Sequence, residues 1–359
     1  MVGVTPQVTL QGKTGDGSRH SFTYSTNHEN STEKPQRRKT LTERENVTLR
    51  EEVRDWGSLN DWPLQWDESI EEFIEYDREA RKTSQVYENQ ATGETSTNPV
   101  SHRFQPQYRE MQYARFNDLL REAQDRHSVV HTTLIGLTAS STPDGEQLAP
   151  VDHWHDLDRS NDAVKQAIRR IKDQLGDAVA IEFVEAHPGG GTNDGYLHKH
   201  PVIISGQRVS DTQVRKILNA HVNNSPHAKA EAHDLDQAVT RNRVSQRKDA
   251  DLATENVIGN LPAYLTSYLL DYGKNLEDLP ESQRAGAAVL WATGAQSIRP
   301  GATAQEWMQR DQEDQETAEE WEMVGVERDG EFIPSDDHSG GVSTFTTGTG
   351  PPGPPGPSR

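Results

Sequence analysis

Two segments constrain the fold more than any others. "AVAIEFVEAH" (Ala178 to His187) and "YLHKHPVIIS" (Tyr196 to Ser205) are apolar, β-branched and of strand length, and the loop between them, "PGGGTNDG", is glycine-rich. Such a pair predicts an antiparallel hairpin. Successive side chains of a strand point to opposite faces, so His198 and His200 share one face while Lys199 turns to the other.

The flanking periods extend this nucleus. "QYARFNDLLREAQDR" has helical spacing at Tyr113, Phe116, Leu119 and Leu120, and "VVHTTLIGLTAS" (Val129 to Ser140) reads as a buried strand. "SNDAVKQAIRRIKDQLG" (Ser160 to Gly176) opens on a capping residue and closes on glycine, with Val164, Ala167, Ile168, Ile171 and Leu175 on one face. "SDTQVRKILNAHV" (Ser210 to Val222) is a second capped helix, apolar at Val214, Ile217 and Leu218. Strand, helix, hairpin, helix predicts an α+β fold, a central antiparallel sheet with helices on one face and the other open to a ligand.

Only 31% of the 359 residues are hydrophobic, so part of the chain is not expected to pack. Residues 1–105 are expected to be largely disordered and acidic, interrupted by a tryptophan-bearing piece with a short docking helix around Glu68 to Arg81. Residues 106–275 form the expected catalytic domain, 276–334 a helical or mixed extension, and 335–359 a Gly/Thr/Pro tail too poor in apolar surface to order itself. No apolar run approaches about 18 residues and no signal-like segment opens the chain, which predicts a soluble, cytoplasmic protein. The net charge is −20, and 26 arginines stand against 11 lysines, a balance that suits multimolar salt and predicts a halophilic source. With no cysteine, any metal must be held by His, Asp, Glu or water.

Across the hairpin, Glu185 or Glu182 stands beside His198 and His200, depending on register. Two imidazoles and a carboxylate make a three-ligand set with open positions, suited to a divalent ion that touches substrate. The plainer alternative is a chance surface pair in a chain with 14 histidines. Downstream, "NLPAYLTSYLLDYGKN" (Asn260 to Asn275) predicts a helix with Tyr264, Tyr268 and Tyr272 at spacings of four, about 6 Å apart along one face. Such a stripe serves either a core or two phenols reaching one place in turn. "TRNRVSQRKD" places Arg241, Arg243, Arg247 and Lys248 in one basic run, suited to phosphate contacts or simply to a solvated face.

In order, "TLIGLT" ending at Thr138, the spacing from Glu185 to His198 and His200, and "Y-x-x-x-Y" at Tyr264 and Tyr268 resemble the rolling-circle replication initiators of the HUH endonuclease superfamily. The two-tyrosine form is similar to initiators of single-stranded DNA phages and of plasmids, haloarchaeal ones included. The resemblance covers roughly residues 110–275. It implies metal-dependent nicking and joining of single-stranded DNA at a replication origin through a 5′-phosphotyrosine, with Tyr264 and Tyr268 as nucleophiles. It also implies Mg²⁺ or Mn²⁺ held by His198, His200 and Glu185. A polymerase would extend the freed 3′-OH, and a host helicase would unwind, since no G-x-x-x-x-G-K-[ST] motif is present. Two positions depart from the family pattern: Lys199 replaces an apolar residue, which is expected to weaken strand packing, and Ser267 replaces a lysine before the second tyrosine. A relaxase or transposase of the same superfamily, and a non-enzymatic DNA-binding regulator, are the alternatives. The negative charge is no bar to a polyanion, because at molar salt little repulsion survives beyond about 3 Å.

Overall fold

The computed structural model describes residues 47–51, 53–54, 66–100, 102–187, 195–245, 276, 279–308 and 321–335. Its helices are α1 (Trp66–Arg81), α2 (Pro106–Arg126), α3 (Pro150–Asp158), α4 (Asn161–Leu175), α5 (Asp211–Asn224), α6 (Leu235–Ala238), α7 (Glu281–Ala292) and α8 (Ala302–Trp307). Its strands are β1 (Thr83–Asn89), β2 (Thr95–Pro99), β3 (Val129–Ile135), β4 (Ala178–Ala186), β5 (Leu197–Ser205), β6 (Val239–Ser245), β7 (Ile298–Pro300), β8 (Trp321–Arg328) and β9 (Glu331–Pro334). All pair antiparallel, in a five-stranded sheet ordered β6-β3-β5-β4-β7 and a four-stranded sheet ordered β2-β1-β8-β9. The α+β class expected from the sequence is the class observed.

The larger sheet is built on the expected hairpin. Strands β4 and β5 pair from Ala178 opposite Ser205 to Ala186 opposite Leu197, and β3 lies against the other side of β5. Two local signals set the covering helices. Gly176, at φ 76°, ends α4 in a conformation that glycine adopts without strain. At the start of α5, Ser210 accepts from the Gln213 amide at 3.3 Å, and the Gln213 side chain accepts from the Ser210 amide at 2.9 Å, a reciprocal cap.

Helices α4 and α5 pack Val164, Ile168, Ile171, Val214, Ile217 and Leu218 against Ile135, Ala178 and Ile203 on one face of the sheet. On the other face, α2 and α8 bring Phe116, Leu119, Leu120, Trp307 and Met308 onto Val130, Leu134, Val179, Ile181, Phe183, Val202 and Ile204. The face expected to stay open is therefore partly roofed. At the Leu197 end of β5 the apolar row gives way on this face to the partly exposed His200 and His198. Tyr113, expected on the buried stripe of α2, is 40% exposed, whereas Phe116, Leu119 and Leu120 are buried.

The smaller sheet and its helix correct the expectation of disorder for residues 66–100, while residues 1–46 and 55–65 lie outside the described residues. Helix α1 contains the expected docking helix, and β1 pairs with β2 and with β8 from near the far end of the chain. Both strands are polar ("TSQVYEN", "TSTNP") with no apolar–polar alternation in sequence, and β1 gains its distant partner only in β8. The larger sheet also continues beyond residue 275, because β7 pairs with β4 at Ile298 opposite Phe183.

Candidate functional site

Register decides which carboxylate joins the histidines. Glu185 lies opposite His198 and Phe183 opposite His200, whereas Glu182 lies opposite Pro201 and turns to the other face. Glu185 Oε2 is 3.3 Å from His200 Nε2. The His198 and His200 rings are nearly parallel, 8° between planes, with centroids 6.3 Å apart. A third imidazole joins them: His187, two residues past Glu185 and so on the same face, has its ring centroid 5.2 Å from that of His198. The sequence reading passed over His187, although the strand period that paired the other two applies to it equally.

Burial first, then the neighbouring His200, His187 and His153, pushes the pKa of His198 well below its ordinary 6.5. Its imidazole is neutral near pH 7 and keeps a lone pair to donate. Neutral imidazoles beside a carboxylate are the donor types that a divalent ion takes. In the arrangement seen, Glu185 is engaged with His200, and among the described residues no three His, Asp or Glu side chains are grouped to hold a metal ion.

The opposite face of β5 accounts for Lys199. Its side chain is fully buried, with Nζ 3.1 Å from Asp158 Oδ1, 3.0 Å from Asn161 Oδ1 and 3.2 Å from Glu182 Oε2. Arg299 Nη1 reaches the same two carboxylates, 3.2 Å from each. Two cations and two anions thus close a buried quartet beneath the imidazoles, and the Lys199 ammonium also lies 5.9 Å from the Trp154 ring centroid. The expected weakening of strand packing does not occur, because each formal charge has a partner of opposite sign. Burial pushes the Asp158 carboxyl up, but Lys199 and Arg299 outweigh it and hold its pKa below the ordinary range.

Three more histidines fix the end of the neighbouring β3 segment. His221 Nε2 lies 2.9 Å from the Thr138 carbonyl, which can only accept, so Nε2 carries the proton and Nδ1 accepts from the Ser160 hydroxyl at 2.7 Å. The Thr138 amide donates to His233 Nε2 at 3.1 Å, and His153 Nε2 donates to the Ala139 carbonyl at 3.0 Å. Burial lowers all three pKa values, those of His153 and His221 to about 4.

Arg241 and Arg243 are on edge strand β6, opposite Thr133 and His131. By alternation they follow Val239, which packs with the α4 and α5 cluster, so they project to the face away from His198 and His200. Arg241 Nη2 pairs with Asp211 Oδ1 at 2.7 Å, and Arg243 is exposed. Tyr264, Tyr268, Arg247 and Lys248 lie outside the described residues.

Residues 39–338 match a protein family described as "Putative rep protein (DUF1424)". The chain belongs to this family. Two relatives of its members' kind come from halophilic archaea, in keeping with the acidic, lysine-poor composition. An "Uncharacterized 36 kDa protein" of Halobacterium salinarum is 35% identical over 298 residues, covering 81% of this chain and 92% of that protein. An "Uncharacterized 36 kDa protein" of Halobacterium sp. (strain GN101) is 38% identical over 276 residues, covering 74% and 82%. No solved structure matches the chain. Among the described residues no helix is long and apolar enough to cross a membrane.

Proposed function

We propose that this family member initiates rolling-circle replication by nicking and rejoining single-stranded DNA at an origin. The observation that carries the reading is the convergence of His198, His200 and Glu185 on one sheet face, in a chain whose family is described as Rep. A phenol of Tyr264 or Tyr268 attacks the scissile phosphorus, losing its proton. The new bond is a 5′-phosphotyrosine, and the bond broken is that to the 3′-oxygen, which leaves as a free 3′-OH after protonation. The phosphotyrosine keeps the bond energy, so a later attack by a 3′-OH reverses the step and joins the strand. The second tyrosine permits another cleavage while the first is occupied.

His198, His200 and Glu185 would hold the divalent ion, Mg²⁺ or Mn²⁺, and Glu185 would have to leave His200 to do so. A bound divalent ion supplies neutralisation of charge on the phosphate. The chain's own part is to hold the neutral His198 imidazole and, beside it, that of His200 on a rigid sheet. Arg241 and Arg243 offer phosphate contacts from the opposite face, past edge strand β6, with Arg247 and Lys248 continuing the same run. A host polymerase extends the 3′-OH, and a host helicase opens the duplex.

The test is incubation with a single-stranded origin oligonucleotide and Mn²⁺ or Mg²⁺, followed by denaturing electrophoresis. A covalent adduct is expected with wild type and none with the Tyr264→Phe, Tyr268→Phe double variant. Equal behaviour of the two sinks the nicking mechanism.

A further inference from the structure

On the strand beside the imidazoles, one position carries no side chain. Leu137 and Lys199 bridge in the same register as Leu134 and Val202, so Thr138 falls opposite His198 and Gly136 opposite His200. Gly136 follows Leu134 at a spacing of two, on the face of His198, His200 and Glu185. Thus, in the strand pairing, His200 stands between Phe183 and Gly136. Gly136, Thr138, His198 and His200 are all partly exposed, where the apolar rows of the same strands are buried.

Neither of the usual reasons for glycine applies here. Gly136 is not among the residues of positive φ, so the backbone conformation admits any side chain. Among the described residues, a Cβ built on it meets nothing nearer than the Ala238 carbonyl oxygen at 3.7 Å, an ordinary contact. Gly286 differs, since a Cβ there would strike that of Ala186 at 2.0 Å. Gly286 is required by packing, and Gly136 is not.

We propose that Gly136 is a clearance position in the substrate track, its missing side chain letting an extended polynucleotide backbone lie against the His200 imidazole. This rests on the nicking reading above and adds where the strand runs: along β3 and β5, over Gly136 and Thr138, with the half-exposed Thr138 hydroxyl beside the His198 end. A leucine at 136 would project into the path of the sugar-phosphate chain while leaving the imidazoles and their carboxylate in place.

The experiment compares wild type, Gly136→Ala and Gly136→Leu in thermal unfolding, binding of a fluorescent single-stranded oligonucleotide, and adduct formation. Gly136→Leu is expected to unfold within a few degrees of wild type, to bind the oligonucleotide at least tenfold more weakly, and to form adduct with a raised KM. Gly136→Ala is expected to lie between. A folded Gly136→Leu that binds and cleaves as wild type does overturns the proposal. If Gly136→Leu fails to fold, Gly136→Ala decides, and oligonucleotide affinity equal to wild type overturns the proposal. If wild type forms no adduct, the nicking mechanism falls by itself, and the binding comparison still tests the track.

Discussion

Glu185 faces His198 in the strand register, yet its carboxylate leans diagonally to His200, Oε2 to Nε2 3.3 Å. The carboxylate is therefore paired with the diagonal imidazole and not with the one directly opposite in the register. Such a part-exposed pair contributes about 0–1 kcal/mol to folding. Glu185→Gln, which keeps shape and removes charge, is expected to leave the melting temperature within a few degrees and to raise the Mn²⁺ concentration giving half-maximal adduct by tenfold or more. Metal titrations of adduct formation check this, and an unchanged metal dependence would remove Glu185 from the site.

His198→Ala and His200→Ala are each expected to abolish adduct formation and to leave a folded protein. Both residues are partly exposed and lie outside the apolar cluster of the same face, so their removal is expected to cost less than that of the apolar row beyond them. Circular dichroism melts run beside the cleavage assay separate the two effects. Unfolding of either variant would make the pair structural.

Lys199, one residue from each histidine, is expected to behave in the opposite way. Lys199→Met leaves Asp158 and Glu182 with Arg299 as their remaining partner in the quartet, and unpairing buried charge costs about 3–5 kcal/mol. Denaturant unfolding should show a loss of that size, partly recovered in Lys199→Met with Glu182→Gln. A neutral Lys199→Met would mean that the quartet is not closed in solution.

Acid is expected to weaken the fold through His153 and His221. Each ionises at about 4 in the folded chain against 6.5 ordinarily, so between these values the unfolded state binds more protons and stability falls as pH falls. Each contributes up to about 3 kcal/mol across the window. Asp158 acts only lower: its folded pKa is depressed, so its contribution is present above 3.8 and is lost on going below that value. Urea midpoints at pH 8, 6 and 4.5 should decline steeply between the last two. A His221→Leu variant, less stable at pH 8, should show a shallower decline, and an unchanged slope would refute the role given to that ring.

Much of the larger sheet is written locally. A period of two puts His198 and His200 on one face and Lys199 on the other, and it would have added His187 by the same rule. Ser210 with Gln213, and Gly176, mark helix ends in a few residues because caps satisfy neighbouring backbone groups. The partners across strands and between helices are not local. Lys199 looks misplaced until Asp158 and Arg299, which are 141 residues apart in the chain, meet at the buried ammonium. The polar strand at Thr83 carries no usable period until β8 arrives to pair with it. Arg241 and Arg243 lie close in sequence to the site but project away from it, since the sheet's order and the parity along β6 set their face. Backbone geometry repeats over two to four residues and so is legible in the chain. Burial, charge pairing and facing direction depend on which distant segments pack together, and only the tertiary structure decided them.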